Sequence, residues 1–337
     1  MVIGIGSCRS NQSTVFQPGL AKIQALEAES IEMSIIPHPA SPKNSPEACP
    51  ICSGTAALRY RAVDENHRIS TVLFDYLQCQ QCHSLFLSHP PTDMERYYQS
   101  DYYAIPTLSQ LEIIASKDQN KINTVLAHCP SGKLLEVGPA FGVFAWQAKQ
   151  AGFDVDVIEM DAQCCEYIKN TLKIPVTQTT QPPDAIRALV QHDVIAIWHV
   201  LEHLPNVKNF LQAAAANLKF GGVLVIAMPN PNAWQFQIMG KLWPHLDAPR
   251  HTTLVPEDAL SRLAAQFGLE KVYFTSDDSD ARSWNRFGWQ RLLMNRFSNK
   301  WIQRAMFVLG YVVSVVVAPR DRRASNGSAY TVVYKKN

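Results

Sequence analysis

Four cysteines in the first third of the chain form two C-x-x-C pairs, Cys49 with Cys52 and Cys79 with Cys82. Thiolates are preferred zinc ligands, and two such pairs can close a tetrahedral structural site of the zinc-ribbon type. A redox-active C-x-x-C needs one pair rather than two. We therefore expect a structural Zn²⁺ in a small module over residues 47–92.

Basic residues are few around these cysteines, since the stretch 49–87 contains only Arg59, Arg61 and Arg68 as permanent cations. The whole chain has 31 Lys and Arg against 29 Asp and Glu, a formal net charge of +2. A nucleic-acid-binding surface normally carries a strong excess of basic residues. We expect no nucleic-acid partner and a small-molecule substrate instead.

A second group of residues could bind a ribose-containing ligand. The segment E-V-G-P-A-F-G brings an acid at Glu136, glycines at Gly138 and Gly142 and an aromatic ring at Phe141, and a further acid follows at Glu159. Glycines allow a sharp turn or the close approach of a ligand. An acid after the second strand of a βαβ unit is placed to hold ribose hydroxyls.

The same turn argues against a dinucleotide. Such a site requires G-x-G-x-x-G, so that a pyrophosphate can lie against bare backbone. Here Phe141 would obstruct the pyrophosphate, and Glu136 would repel its charge. A cationic ligand suits Glu136 better, which disfavours a nicotinamide-dependent oxidoreductase.

Two histidines are candidates for a general base, because an imidazole titrates near neutral pH. His203 is the first candidate and His251 the second; the alternative for each is a packing or capping role. Arg250 could pair with an anionic group of the substrate or form a structural ion pair with Asp247.

These residues need elements that position them. At 337 residues, 47% of them apolar, the chain can bury a sizeable core. Alternating strands and helices predict an α/β fold, a Rossmann-like doubly wound and mostly parallel sheet. Ligands of such sheets bind at the carboxyl ends of the strands. The predicted strands are 134–137, a second strand ending at 159, 175–177, 193–198, 223–228, 271–275 and 329–335.

Four segments together carry a family resemblance: LLEVGPAFG, VIEMD, WHVLEHLPN and LDAPRHTTLVPEDALSRLAAQFGLE. The chain resembles class I S-adenosylmethionine-dependent methyltransferases, in particular the ubiquinone-biosynthesis O-methyltransferase-like group. Within it, the chain is similar to members with an N-terminal C-x-x-C/C-x-x-C module, some of which methylate deoxysugars. The resemblance covers roughly residues 48–275 and a last strand, and implies seven strands with the last one antiparallel.

The resemblance also implies a cofactor site for S-adenosylmethionine. It places Glu136, Gly138, Phe141 and Gly142 near the methionine end, Glu159 on the ribose, Met160 beside the adenine and His199 close to the cofactor. Phe141 departs from the family, where many members have a small residue. The stretch 177–180 lacks the acid that commonly follows the third strand.

Four tyrosines occur in the seven residues 97–103, and Tyr102 among them is a candidate cofactor contact. They predict either a lid over the cofactor and substrate or an aromatic packing at a domain junction.

The segment 284–318 is predicted to be largely helical, with basic and aromatic residues first and an apolar run over 305–318. That run is shorter than the roughly 18 to 20 residues of a spanning helix. Two interpretations stay open. One is a buried helix over the mouth of the active site; the other is peripheral membrane contact through 284–318.

We therefore predict a leader (1–46), a zinc-binding module (47–92), a tyrosine-rich linker and helix (93–128), a methyltransferase core (129–280) and a C-terminal helical segment with a final strand (281–337). The predicted activity is transfer of a methyl group to oxygen or carbon of a small molecule, plausibly a sugar or glycan precursor or a quinone-type compound. The alternative is a non-catalytic, zinc-stabilised scaffold.

Two absences refine this prediction. The segment after residue 198 has no (N/D)-P-P-(Y/F) tetrad, which disfavours N-methylation of nucleic-acid bases. The opening residues are too short and uncharged for a secretory signal. We expect a cytoplasmic protein, or one held peripherally at the inner face of a membrane. The oligomeric state is not predicted.

Overall fold

The computed structural model of this chain describes residues 47–98, 104–323 and 325–337. The predicted leader, residues 1–46, and the candidate contact Tyr102 lie outside the described residues.

Two sheets organise the described chain. Its strands are β1 (Ala56–Ala62), β2 (Phe74–Cys79), β3 (Leu85–Leu87), β4 (Lys133–Val137), β5 (Asp154–Glu159), β6 (Val176–Gln178), β7 (His192–Trp198), β8 (Leu218–Pro229), β9 (Thr253–Leu254), β10 (Leu269–Thr275) and β11 (Ala329–Lys336).

The helices connect and cover these strands. They are α1 (Leu108–Lys117), α2 (Asn120–His128), α3 (Val143–Gln150), α4 (Ala162–Tyr167), α5 (Pro182–Ala188), α6 (Val207–Asn217), α7 (Trp234–Met239), α8 (Glu257–Ala265), α9 (Ser279–Met294) and α10 (Lys300–Asp321). A π turn extends α4 (Ile168–Leu172), and short 3₁₀ turns occur at Met94–Tyr97, Leu201–His203, Gly240–Leu242 and Pro244–Leu246.

The larger sheet has the order β10-β11-β8-β7-β4-β5-β6. Every described pairing among β4 to β8 in this sheet is parallel, whereas β11 pairs antiparallel with both β8 and β10. The predicted α/β, Rossmann-like sheet of seven strands with an antiparallel last strand is therefore confirmed.

Both faces of this sheet are covered. Successive residues of a strand point to opposite faces. Leu134 and Val194 lie in one buried cluster, and the next residues, Leu135 and Ile195, lie in the other. A continuous apolar run is the pattern expected of a parallel strand buried on both sides.

The smaller sheet has the order β1-β2-β3-β9 and joins the N-terminal module to the core. Its first three strands belong to the cysteine-rich module, but β9 comes from the segment that follows Arg250 and His251. Leu85 pairs with Leu254, and Phe86 pairs with Thr253. The two predicted regions thus share one hydrogen-bonded sheet.

The predicted helix over 108–128 is instead two helices. Asp118, which follows α1, has extended backbone angles. The Nε2 group of Gln147 donates hydrogen bonds to the carbonyl oxygens of Ala115 and Asp118. This side chain satisfies carbonyls at the end of α1, which would otherwise need a continuing helix.

Of the two interpretations left open for the C-terminal segment, the buried helix does not agree with the structure. Among the described helices, α10 is the one long and apolar enough to cross a membrane by length and composition, and only 6% of its apolar window is buried. The helix also extends beyond the predicted run to 22 residues. Sequence composition shows that a helix is apolar, but not whether other elements cover it.

Candidate active site

The glycine turn after β4 depends on a backbone conformation that side chains rarely adopt. Gly138 has φ +71°, and a Cβ there would lie 2.5 Å from Cγ2 of Val200. Gly142 has φ +84° and precedes α3, so the first N–H groups of that helix have no intrahelical partners. The turn therefore offers bare backbone at the carboxyl edge of the sheet.

Glu159 ties this turn to the end of β5. One of its oxygens accepts a hydrogen bond from the backbone N–H of Ala140 at 3.0 Å. The other accepts from the N–H groups of Met160 and Asp161, at 2.7 and 2.8 Å. Burial raises the pKa of Glu159 above its usual value. The oxygen that accepts only from Ala140 keeps a lone pair that could accept a ligand hydroxyl.

Glu136 is a buried acid, and one of its oxygens has no hydrogen-bond partner within the described part of the chain. Burial raises its pKa to about 8, although the charge of Lys121 acts in the opposite direction. A buried carboxylate in this situation gains stability from a cationic ligand. The position beside Gly138 therefore fits a ligand with an ammonium or sulfonium group.

The other predicted cofactor contacts differ in exposure. Phe141 is partly buried and packs against the core cluster that contains Phe144 and Ile168. Met160 is 55% exposed and lies directly after Glu159. The departure at Phe141 thus fills space in the core.

His199 follows β7 and is the most strongly paired histidine of the site. Its Nε2 atom lies 2.7 Å from an oxygen of Asp280, and its ring stacks on Trp284 with centroids 4.1 Å apart. Burial lowers the pKa of His199, but the charge of Asp280 outweighs this and raises it to about 9. His199 is therefore a cation at neutral pH.

His203 and His251 face a buried carboxylate, Glu202. The side chain of Glu202 has no exposed surface, and neither oxygen has a hydrogen-bond partner among the described residues. Burial acts to raise its pKa, but the surrounding imidazoles hold it below the usual range. Nε2 of His251 lies 4.0 Å from the nearer Glu202 oxygen, and Nδ1 of His199 lies 3.7 Å from it.

Backbone carbonyls orient two of these imidazoles. Nδ1 of His203 lies 2.9 Å from the carbonyl oxygen of Arg250, and Nδ1 of His251 lies 2.8 Å from that of His245. A carbonyl only accepts hydrogen bonds, so each Nδ1 carries the proton and each Nε2 keeps its lone pair. Burial lowers the pKa of His251 to about 4. His203 is less buried, and its ring packs edge-on against His251 at 4.7 Å.

This arrangement could act on a proton or hold a metal. Glu202, His203 and His251 each offer one ligand atom, and these atoms lie within 4.8 Å of one another. A buried carboxylate beside an imidazole also stabilises the imidazolium that forms when a histidine accepts a proton.

The N-terminal module holds the segment that carries His251. The hydroxyl of Tyr76 donates to the carbonyl oxygen of His251 at 2.8 Å, and the N–H of Leu87 donates to that of Thr252 at 2.8 Å. Arg250 is fully buried and forms ion pairs with Asp64 and Asp247, at 2.7 and 2.8 Å. Of the two alternatives predicted for Arg250, the structure therefore agrees with the structural ion pair to Asp247.

The four predicted metal ligands come together in this module. Sγ of Cys49 lies 3.6 Å from that of Cys82, and Sγ of Cys52 lies 3.4 Å from that of Cys79. Four thiolates around zinc at about 2.3 Å would be roughly 3.8 Å apart, so the observed distances fit the ion closely. The backbone N–H groups of Ile51 and Gln81 point to these sulfurs at 3.4 Å.

Comparison with known proteins adds to this geometry. Residues 112–273 match the model of a methyltransferase domain. The chain is 25% identical to the ubiquinone biosynthesis O-methyltransferase of Azoarcus sp. (strain BH72) over 186 residues, which cover 48% of this chain and 80% of that protein. These matches and the sheet order support a class I S-adenosylmethionine-dependent methyltransferase.

Other relatives match a shorter part of this methyltransferase. The ubiquinone biosynthesis O-methyltransferase of Paramagnetospirillum magneticum is 30% identical over 112 residues, which cover 32% of this chain and 45% of that protein. Matches to Klebsiella pneumoniae proteins likewise span about half of their length. A solved S-adenosylmethionine-dependent methyltransferase from Archaeoglobus fulgidus superposes with a TM-score of 0.45 at 16% identity, covering 67% of this chain and 94% of that one.

Sequence reasoning missed several residues of this methyltransferase site. Glu202 had a signal, since it lies beside His203 in the motif after β7. Asp280 and Trp284 had none, because nothing in the sequence indicates that α9 returns to His199 from 81 residues away. Lys121 also approaches the crevice, with its ammonium 5.4 Å from the centre of the Trp198 ring.

Proposed function

We propose that this protein transfers the methyl group of S-adenosylmethionine to a hydroxyl oxygen of a small-molecule acceptor, of the sugar or quinone type. The observation that carries the proposal is the position of the unpaired Glu136 oxygen beside the glycine turn, at the same sheet edge as Glu159 and the histidines. The Azoarcus relative is named an O-methyltransferase, which supports oxygen as the acceptor atom.

The protein has three tasks in this reaction. Glu136 and Glu159 bind the cofactor through its cationic and ribose groups, and the glycine turn lets the backbone approach it. Alignment of sulfur, methyl and acceptor oxygen then supplies much of the rate, because the sulfonium is already an activated donor. The acceptor hydroxyl must also lose its proton.

His203 is the proposed base. Its Nδ1 is committed to the Arg250 carbonyl, which leaves the Nε2 lone pair for the acceptor proton. The new bond joins the acceptor oxygen to the methyl carbon, the carbon–sulfur bond breaks, and the proton moves to Nε2. The buried Glu202 carboxylate stabilises the resulting imidazolium. The neighbouring His251 has a pKa lowered by burial, so it stays neutral beside His203 and does not compete for the proton.

Cofactor binding tests the proposal directly. We expect wild-type protein to bind S-adenosylhomocysteine in a calorimetric titration, and Gly138→Ala to weaken binding by about tenfold or more. The added Cβ would press against Val200 and push the turn away from the ligand.

Gly221→Ala is the matched control. Gly221 also has a positive φ, +78°, but a Cβ there meets nothing within 4 Å. Both variants carry the same kind of backbone strain, so only the collision differs. Equal binding by the two variants would reject the assigned turn, and no binding by wild-type protein would favour the scaffold alternative.

We also propose that the four clustered cysteines hold a structural zinc ion. Purified protein should contain about one zinc per chain, and Cys79→Ser should lose the metal and melt several °C lower. A loss of 1 kcal/mol shifts the melting temperature by roughly 2–4 °C in a domain of this size. Metal analysis and thermal melting measure both effects.

Cys129→Ser serves as the control for the zinc proposal, because Cys129 lies outside the cluster. A Cys79→Ser protein with unchanged zinc content and melting temperature would contradict the proposed ligand set.

A further inference from the structure

One long side of α10 is apolar and exposed. The helix has 22 residues, so it is about 33 Å long. Val316 is 73% exposed and Trp301 is 76% exposed. The remaining large apolar residues of this side are Val308, Leu309, Val312 and Val315, all exposed. Contiguous apolar surface of this kind marks an interaction site.

The opposite side of α10 packs closely on α9. A Cβ at Gly310 would lie 2.5 Å from Cα of Gln290, so the two helix backbones approach each other closely there. Ser314 is buried on the same side, and Asp321 accepts a hydrogen bond from the indole of Trp289 at 3.3 Å. The apolar side therefore faces away from the protein.

Both ends of α10 are held against the body of the protein. Before its start, Asn295 donates a hydrogen bond to the carbonyl oxygen of Glu65, in the N-terminal module. At its end, the guanidinium of Arg320 lies 4.8 Å from the centre of the Trp234 ring. The chain then enters β11, which lies between β10 and β8 in the larger sheet. A helix held at both ends lies along the surface and does not cross a bilayer.

Basic residues flank the apolar side at both ends. The stretch 305–319 contains no charged residue. Lys300 and Arg304 precede it, and Arg320, Arg322 and Arg323 follow it. A shallow cleft at the second end is lined by Val316, Val317, Pro319, Trp234, Arg320 and Arg323. Apolar surface between basic groups matches an anionic bilayer, with hydrocarbon in the centre and phosphates at the rim.

We propose that this exposed side of α10 docks in the plane of an anionic lipid bilayer, with the arginine-lined cleft receiving a headgroup. A second copy of the chain fits less well. Two such sides packed together would bring the basic ends of one helix close to those of the other. Among the described residues, Arg322 already pairs with Asp277, and the exposed side of α10 itself carries no acid to offset the remaining charges. The family match ends at residue 273. The hairpin formed by α9 and α10 is therefore an addition to the matched methyltransferase domain.

Docking would place the active site next to the lipid. The same hairpin carries Asp280 and Trp284 at its start, and both contact His199. An inference about the acceptor follows, and it rests on the proposed methyl transfer. The acceptor is an amphipathic or lipid-linked molecule that reaches the site from the bilayer.

Flotation with vesicles of equimolar phosphatidylcholine and phosphatidylglycerol tests the docking. We expect the full chain to float at low salt, and Val312→Glu/Val316→Glu to reduce its vesicle partition by about tenfold or more. The matched control is Phe220→Glu, since Phe220 is 88% exposed but lies away from the hairpin on β8. The control should float like the wild type.

Several outcomes would overturn the docking. Wild-type protein that stays at the bottom of the gradient would do so, as would a double variant that floats equally well. A wild-type dimer in sedimentation, dissociated by Val312→Glu/Val316→Glu without vesicle binding, would assign the surface to self-association instead. Titration with S-adenosylhomocysteine on the same samples separates these results from failure of the proposed function.

Discussion

Replacing His203 by alanine is expected to lower kcat by about 10²- to 10⁴-fold, the range typical of losing a general base. The Kd for S-adenosylhomocysteine should stay unchanged, because the proposed cofactor contacts, Glu136 and Glu159, lie on β4 and β5 and not in the turn that carries His203. The measurement pairs steady-state kinetics on the true acceptor with calorimetric titration. Partial rescue of His203→Ala by added imidazole would show that the missing group handles a proton.

His89→Ala controls for the general loss of an imidazole. His89 is exposed on the N-terminal module and bonds to Ser88 rather than to the site. It should retain wild-type kcat. Unchanged turnover in His203→Ala would remove this residue from the mechanism, and an equal fall in cofactor affinity would make it a binding residue.

The second large effect concerns stability. Asp64→Ala is expected to lower the free energy of unfolding by roughly 3–5 kcal/mol, because it removes one partner of a buried ion pair. Asp64 and Arg250 both have fully buried side chains, and their charged atoms lie 2.7 Å apart. The Asp64 carboxylate also accepts hydrogen bonds from the N–H groups of His67 and Ile69. In the variant, Arg250 keeps only one acidic partner, Asp247. The free-energy cost of burying its charge is then offset less completely.

Urea denaturation of Asp64→Ala and Asp75→Ala compares the buried pair with an exposed one. Asp75 pairs with Arg61 at 3.1 Å, but the arginine side chain is 62% exposed. Such surface pairs contribute little to stability. If Asp64→Ala lowered the free energy of unfolding as little as Asp75→Ala does, the junction between module and core would contribute little to stability.

The cofactor half of the site could be predicted from the sequence, because it is local. Glu136, Gly138 and Glu159 belong to one βαβ unit, in which strand, turn and helix lengths determine where each residue lies. The apolar runs of β4 and β7 identified them as central strands, and the parallel topology then brought their carboxyl ends to one edge.

The surroundings of the proposed base could not be predicted in this way. Its contacts join residues that are far apart in sequence: Asp280 with His199, and Asp64 with Arg250. The hydrophobic periodicity of a sequence does not indicate such pairs, because they depend on how loops and helices return to the sheet. The exposure of α10 stayed undecided for a related reason, since an apolar helix has the same sequence pattern whether it is covered or not.

The strand β9 has a consequence for synthesis and folding. The module's sheet includes a strand that the ribosome makes about half a chain later, after most of the larger sheet has emerged. Until Thr253 and Leu254 arrive, β3 keeps an unpaired edge, and pairing over such a long separation slows folding. The module is thus the first described region to be synthesised and one of the last to be completed. Its completion coincides with the positioning of His251, so the nascent chain places this histidine in the same step that closes its N-terminal sheet.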